Sequence, residues 1–296
     1  MTQLSIQKTI STAFQVYRLR LGTFIKTSFY RYLWLFLSSL GLIGVYFCFI
    51  FLPLLLFVAN LSATDSFGNN LLIILLSLVG GILFAYLTVF TASKGLRMEA
   101  LIAWIASKEL SGEKETLQTA NRQVKRFWAF FLAQFYILLI SIAFSLLAEV
   151  LSNVFPEYLA AIVFLISLLI NIWITVKFLF ADIAIALRNT TALDSLKYSF
   201  QLSQGFFWQI TIIVICIYLI LLPAYIIPLL PFLFGLFSAL AQTPTITSNL
   251  SSFLVVLSSL IPLLLISFIG LSIVGILTIP LWQSVKAVIY HELSEK

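Results

Sequence analysis

Charge is what this sequence has least of. Asp, Glu, Lys and Arg together make up 9% of its 296 residues, against about a quarter in ordinary globular domains. Hydrophobic residues reach 61%, which leaves too little polar surface to coat a water-facing sphere. A soluble globular protein is excluded. The lone histidine, His291, lies close to the C-terminal end, outside every long apolar run, so helix-embedded histidines cannot hold a haem or metal. The two cysteines, Cys48 and Cys216, both lie in apolar stretches and read as small apolar side chains rather than a disulfide pair. No phosphate-cradling glycine loop is present; Gly80-Gly81 sits inside an apolar run, where small residues mark close helix packing. From these absences the expectation is a non-enzymatic chain: no catalytic residues, no metal, no cofactor and no nucleic-acid partner.

What the chain does have is long hydrophobic runs. A helix of about 20 residues crosses roughly 30 Å of hydrocarbon, and six runs meet that length, at approximately 32–60, 71–93, 127–155, 158–181, 206–236 and 253–288. In lipid each backbone N–H and C=O must be paired within its own segment, so such runs form helices. The expected fold is all-α: one integral membrane domain over residues 1–296, a polytopic six-helix transmembrane bundle with interfacial amphipathic helices. The 17 Lys and Arg residues avoid the connections after the first, third and fifth runs. By the positive-inside rule both termini are cytoplasmic, in a plasma or internal membrane of bacterial type. The opening residues are polar and basic, so no cleavable leader is expected.

Ahead of the first run, Ile6, Ile10, Ala13, Phe14, Tyr17 and Leu21 recur at three- and four-residue steps. This spacing predicts an amphipathic helix within 1–28, lying in the headgroup plane on the cytoplasmic side. Lys8, Arg18, Arg20, Lys26 and Arg31 are then candidate contacts to anionic lipid headgroups. A second amphipathic stretch runs from Thr191 to Gln204, with Leu193, Leu196 and Phe200 on one face, Thr191 and Asp194 at capping-box spacing, and Gly205 as a stop. The connection 94–126 is charged and helix-compatible, broken near Ser111 and Gly112. The resulting order is a short helix, a span, a turn and a span, three times over.

The segment Ala192-Leu193-Asp194-Ser195-Leu196-Lys197-Tyr198-Ser199-Phe200-Gln201-Leu202 with Gly205 resembles part of the glycerophosphoryl diester phosphodiesterase membrane-domain family. The opening Thr12-Ala13-Phe14-Gln15-Val16-Tyr17-Arg18 and the closing Ile289-Tyr290-His291-Glu292-Leu293 are similar to that family's two ends. The resemblance implies a six-helix membrane module. The soluble catalytic barrel of some relatives has no counterpart in these 296 residues, so the resemblance does not carry the hydrolytic activity with it.

Lys177 and Asp182, near the cytoplasmic end of the fourth run, are the candidate intramembrane polar pair. An ionisable residue at membrane depth is a functional-site hypothesis, while a lysine this near the interface can also extend its ammonium to the headgroups. Their spacing of five is poor for contact along one helix, so Asp182 could pair with a cation of another segment. Pro223, Pro228 and Pro231 in the fifth run and Pro262 and Pro280 in the sixth predict kinks. The leading expectation is an accessory or assembly subunit, or a membrane scaffold, working through lipids and other integral membrane proteins. The alternative is a permease for a small or lipid-like solute.

Overall fold

A computed structural model describes residues 5–55, 67–154, 156–241 and 250–295. The described residues form ten α-helices and one π-helical turn, with no strand. Short helices α1 (Ile6–Leu19), α4 (Leu117–Gln123) and α8 (Ala192–Leu202) each precede two long ones. The long partners are α2 (Leu21–Tyr46) with α3 (Phe67–Leu110), α5 (Phe127–Val154) with α6 (Glu157–Lys177), and α9 (Phe207–Ala241) with α10 (Leu250–Ser294). A further short helix, α7 (Ala181–Arg188), extends α6 after a break. Six helical stretches are long and apolar enough to cross a membrane. The chain is an all-α, multi-pass integral membrane protein. The expected connections around 62–70 and 237–252 lie largely outside the described residues.

Local chemistry sets the ends of the short helices. The Ser5 hydroxyl accepts from the Lys8 N–H at the start of α1. Thr116 and Thr119 cap α4 reciprocally, and the Thr191 hydroxyl accepts from the Asp194 N–H at the start of α8. Each cap satisfies amides that have no partner in the first helical turn. Gly112, with φ of 79°, turns the chain after α3, as the sequence predicts. α2 runs on through the π-helical turn Phe47–Phe51, where the Leu52 N–H reaches back to the Phe47 carbonyl. Pro53 follows directly; it lacks the N–H that would bond four residues back, and the preceding turn widens.

Burial is uneven along the long helices. α3 has 44 residues and α10 has 45, so each is about 66 Å long, twice what the hydrocarbon requires. The excess is packed against protein. Residues 100–107 of α3 and 283–290 of α10 are buried without interruption, together with Phe24, Ile183, Ile185, Ile210, Ile213 and Ile217. The opposite halves are sparsely buried: the apolar windows of α3, α5, α6 with α7, and α10 have 11% of their residues inside the protein. The core therefore sits at the basic end of the bundle, and the apolar halves face outward.

Two expectations about the amphipathic segments are corrected. The helix expected within 1–28 is divided at Arg20, and residues from Leu21 onward belong to the first long helix. α1 buries Thr9, Ala13 and Val16 and packs on α10, with the Thr9 hydroxyl 3.4 Å from Glu292 Oε2. Its inward face is covered by protein, whereas Ile6 and Leu21 stay exposed. In α8 the buried face is Ala192, Ser195, Leu196 and Ser199, while Leu193 is 55% exposed. The reason is Ser199. Its hydroxyl donates to the Lys177 carbonyl at 2.8 Å and accepts from the Phe180 N–H at 3.1 Å. It thus serves backbone groups freed by the break between α6 and α7, and takes the inward slot from a leucine.

Candidate functional site

Between the packed core and the apolar halves lies a cleft of about 400 Å³. Each of the six long apolar stretches contributes to it: Arg31 from α2, Glu99 from α3, Gln134 from α5, Thr175 from α6, Tyr218 from α9 and Lys286 from α10. Asp182 of α7 completes the polar wall, and Trp282 lies 5.3 Å from Tyr218, centroid to centroid.

Two ion pairs organise this wall. Arg31 Nε donates to Glu99 Oε2 at 2.8 Å, and Gln283 Nε2 donates to Glu99 Oε1 at 2.6 Å. One carboxylate therefore ties α2 and α10 to α3. Lys286 Nζ donates to Asp182 Oδ2 at 2.5 Å, and Asp182 Oδ1 accepts from the Ile183 N–H at 2.9 Å. Asp182 sits in the first turn of α7, where the helix dipole favours an anion. The charged groups sum to zero, two cations against two anions, in a space half enclosed by apolar helix. Such a site holds water or a polar ligand and gives no net attraction to an ion of either sign. Among the described residues no three His, Cys, Asp or Glu side chains gather as a metal-holding group.

The expected pair Lys177 and Asp182 is not formed. Asp182 pairs with Lys286, while Lys177 is only 7% exposed and its ammonium stands 4.8 Å from the centre of the Phe200 ring. The ammonium thus rests on an aromatic face of α8. Helix geometry explains both outcomes. Residues 178–180 interrupt the helix between Lys177 and Asp182, so the two do not share one helical register, and Phe200 of α8 lies against the lysine.

The five expected headgroup cations divide in two. Arg20 pairs with Glu109 at 2.6 Å and Arg31 with Glu99, so both are engaged by carboxylates of α3. Lys8, Arg18 and Lys26 are exposed. Sequence reading missed Glu99, Gln283 and the site role of Lys286. Glu99 precedes Ala-Leu-Ile-Ala and Lys286 precedes Ala-Val-Ile; a charge set in such a run needs a partner, and this was the available sign. Comparison with family models, with curated proteins and with solved structures finds no match to this chain.

Proposed function

We propose that this integral membrane protein is a permease for a lipid-like amphiphile, whose polar part occupies the cleft. The observation that carries the reading is that every long apolar helix places a residue on one polar, charge-balanced cavity. Buried charge is unfavourable to maintain in a membrane, and a bundle that needed only to pack would fill this space with apolar side chains. The aromatic pair Tyr218–Trp282 offers an apolar edge beside the polar wall, which suits a molecule with both characters. Under the positive-inside rule the basic end faces the cytoplasm, so the cleft is proposed to lie near the cytoplasmic leaflet. The scaffold or accessory-subunit reading draws on the lipid-facing surface alone, which lipid covers in any membrane protein; the cleft is what favours the permease.

The test is photolabelling of the full chain in nanodiscs, with a zwitterionic phospholipid carrying a photoreactive group near its headgroup. Label is expected on peptides containing Gln134, Thr175 or Trp282, and the double variant Arg31→Gln/Lys286→Met should reduce it at least about tenfold, the effect of about 1.4 kcal/mol. Labelling spread evenly over the apolar halves, and insensitive to that variant, would remove the cleft from the function and return the scaffold reading.

A further inference from the structure

A row of polar side chains leads from the cleft along α5 and α6. α5 and α6, joined by a short connection, pack against each other. On α5, Gln134, Ser141, Ser145 and Ser152 recur at steps of seven, four and seven, so they share one helix face. On α6, Ser167, Asn171 and Thr175 recur at four-residue steps and share another. Gln134 and Thr175 line the cleft at the basic end. At the opposite end a second cavity of about 310 Å³ is lined by Ser145, Glu149, Ser152 and Ser167. The antiparallel register puts Ser141 level with Asn171, midway between the two cavities. Gln134 to Ser152 spans about 27 Å of helix, close to the roughly 30 Å of bilayer hydrocarbon.

We propose that this α5–α6 seam is the track along which the headgroup of a zwitterionic, phospholipid-like amphiphile passes between the two leaflets, its acyl chains staying in the surrounding lipid. The inference rests on the permease reading of the cleft and adds the route. Three observations favour a track over plain packing. First, helices that met only to pack would close on their serines, yet a cavity stands at each end. Second, Glu149 has no ion pair among the described residues and is exposed on the helix surface; a lone carboxylate is poorly tolerated in hydrocarbon, so water reaches it. Third, the Asn171 amide donates to the Ser167 carbonyl at 2.9 Å and the Thr175 hydroxyl to the Asn171 carbonyl at 2.8 Å. One Asn171 N–H and the Thr175 hydroxyl are tied to the helix itself, which leaves oxygen lone pairs to accept from an ammonium or its water and one amide N–H to donate to a phosphate oxygen. Gln134, Ser145 and Thr175 are likewise exposed, so the seam opens sideways and tails need not enter it.

The full chain is reconstituted into vesicles containing a fluorescent zwitterionic phospholipid, and dithionite bleaches the probe in the outer leaflet. Protein-free vesicles should retain about half their signal. Vesicles with the protein should lose most of it, because inner-leaflet probe is delivered outward. Ser141→Leu/Asn171→Leu is expected to slow that delivery at least about tenfold while headgroup labelling of the cleft stays unchanged; Ser141→Thr/Asn171→Gln should restore it, which separates a blocked track from a misfolded bundle. Ser272→Leu, on α10 and away from the seam, should leave delivery intact. Delivery that ignores the leucine variant overturns the track and leaves the permease reading standing; cleft labelling without delivery overturns the track and reduces the cleft to a binding site. Absence of both labelling and delivery overturns the two together.

Discussion

Single side chains in the cleft are held by unequal means. Glu99 keeps two partners, Arg31 and Gln283, whereas Asp182 relies on Lys286 and one backbone amide. Lys286 is 6% exposed and Asp182 lines the cleft with its side chain 26% exposed, so removing the ammonium takes the main partner from a part-buried carboxylate. A hydrogen bond to a charged group of this kind contributes about 1.5–3 kcal/mol. Lys286→Met should lower stability in detergent by about 2 kcal/mol, and adding Asp182→Asn should recover part of the loss, a non-additivity visible in thermal unfolding of both singles and the double. Equal, additive losses would mean the pair is not coupled. Lys177 behaves oppositely. It is buried against an aromatic ring with no carboxylate contact among the described residues, so Lys177→Met should be neutral or slightly stabilising in the same assay. What was legible at this scale was that Asp182 needs a partner beyond Lys177. Which cation supplies it was not, because Lys286 lies 104 positions away and nothing local to either residue records the meeting.

Elements that depend on neighbours in sequence were readable, and elements that depend on distant ones were not. The Thr191–Asp194 cap and the break at Ser111–Gly112 follow from hydrogen bonds or backbone torsion within a few residues, and both stand in the structure. The direction α1 faces did not follow, because its covering surface is α10, with Glu292 283 positions from Thr9. The buried serine face of α8 was hidden for a related reason: apolar periodicity counts leucines and cannot register an orphaned carbonyl on another helix. Close packing at small residues, expected at Gly80-Gly81, does occur between α2 and α3. A methyl group at Gly81 would collide with the Phe49 ring, and one at Gly41 with Thr88. Gly41→Leu should therefore force the two helices apart and lower stability by about 1–3 kcal/mol, the usual range for overpacking. Gly22→Leu, where nothing lies within 4 Å, is the matched control. Unfolding midpoints that move together for the two variants would place the α2–α3 contact elsewhere.

For the whole molecule, the number of spans was legible because hydrocarbon thickness dictates helix length, and the proposed orientation rests on the distribution of cations. A cysteine at Gly112 or Ser294 should resist an impermeant thiol reagent added to intact cells, while one at Thr245 should react, in chains whose Cys48 and Cys216 are replaced by Ala. Reaction at Gly112 from outside would invert the assignment. The core at the basic end was not legible, since the buried and lipid-facing halves of α3 and α10 are equally apolar. Their uneven burial has a mechanical consequence. Among the described residues the three helical hairpins are buried in protein at one end and sparsely buried at the other, and a helix longer than its bilayer leans more as the bilayer thins. The splay between hairpins is then set by the host membrane as much as by the protein: under the permease proposal, lipid chain length becomes a dial on the cleft that all three hairpins line, and uptake in thin and thick bilayers need not agree even for an unaltered chain.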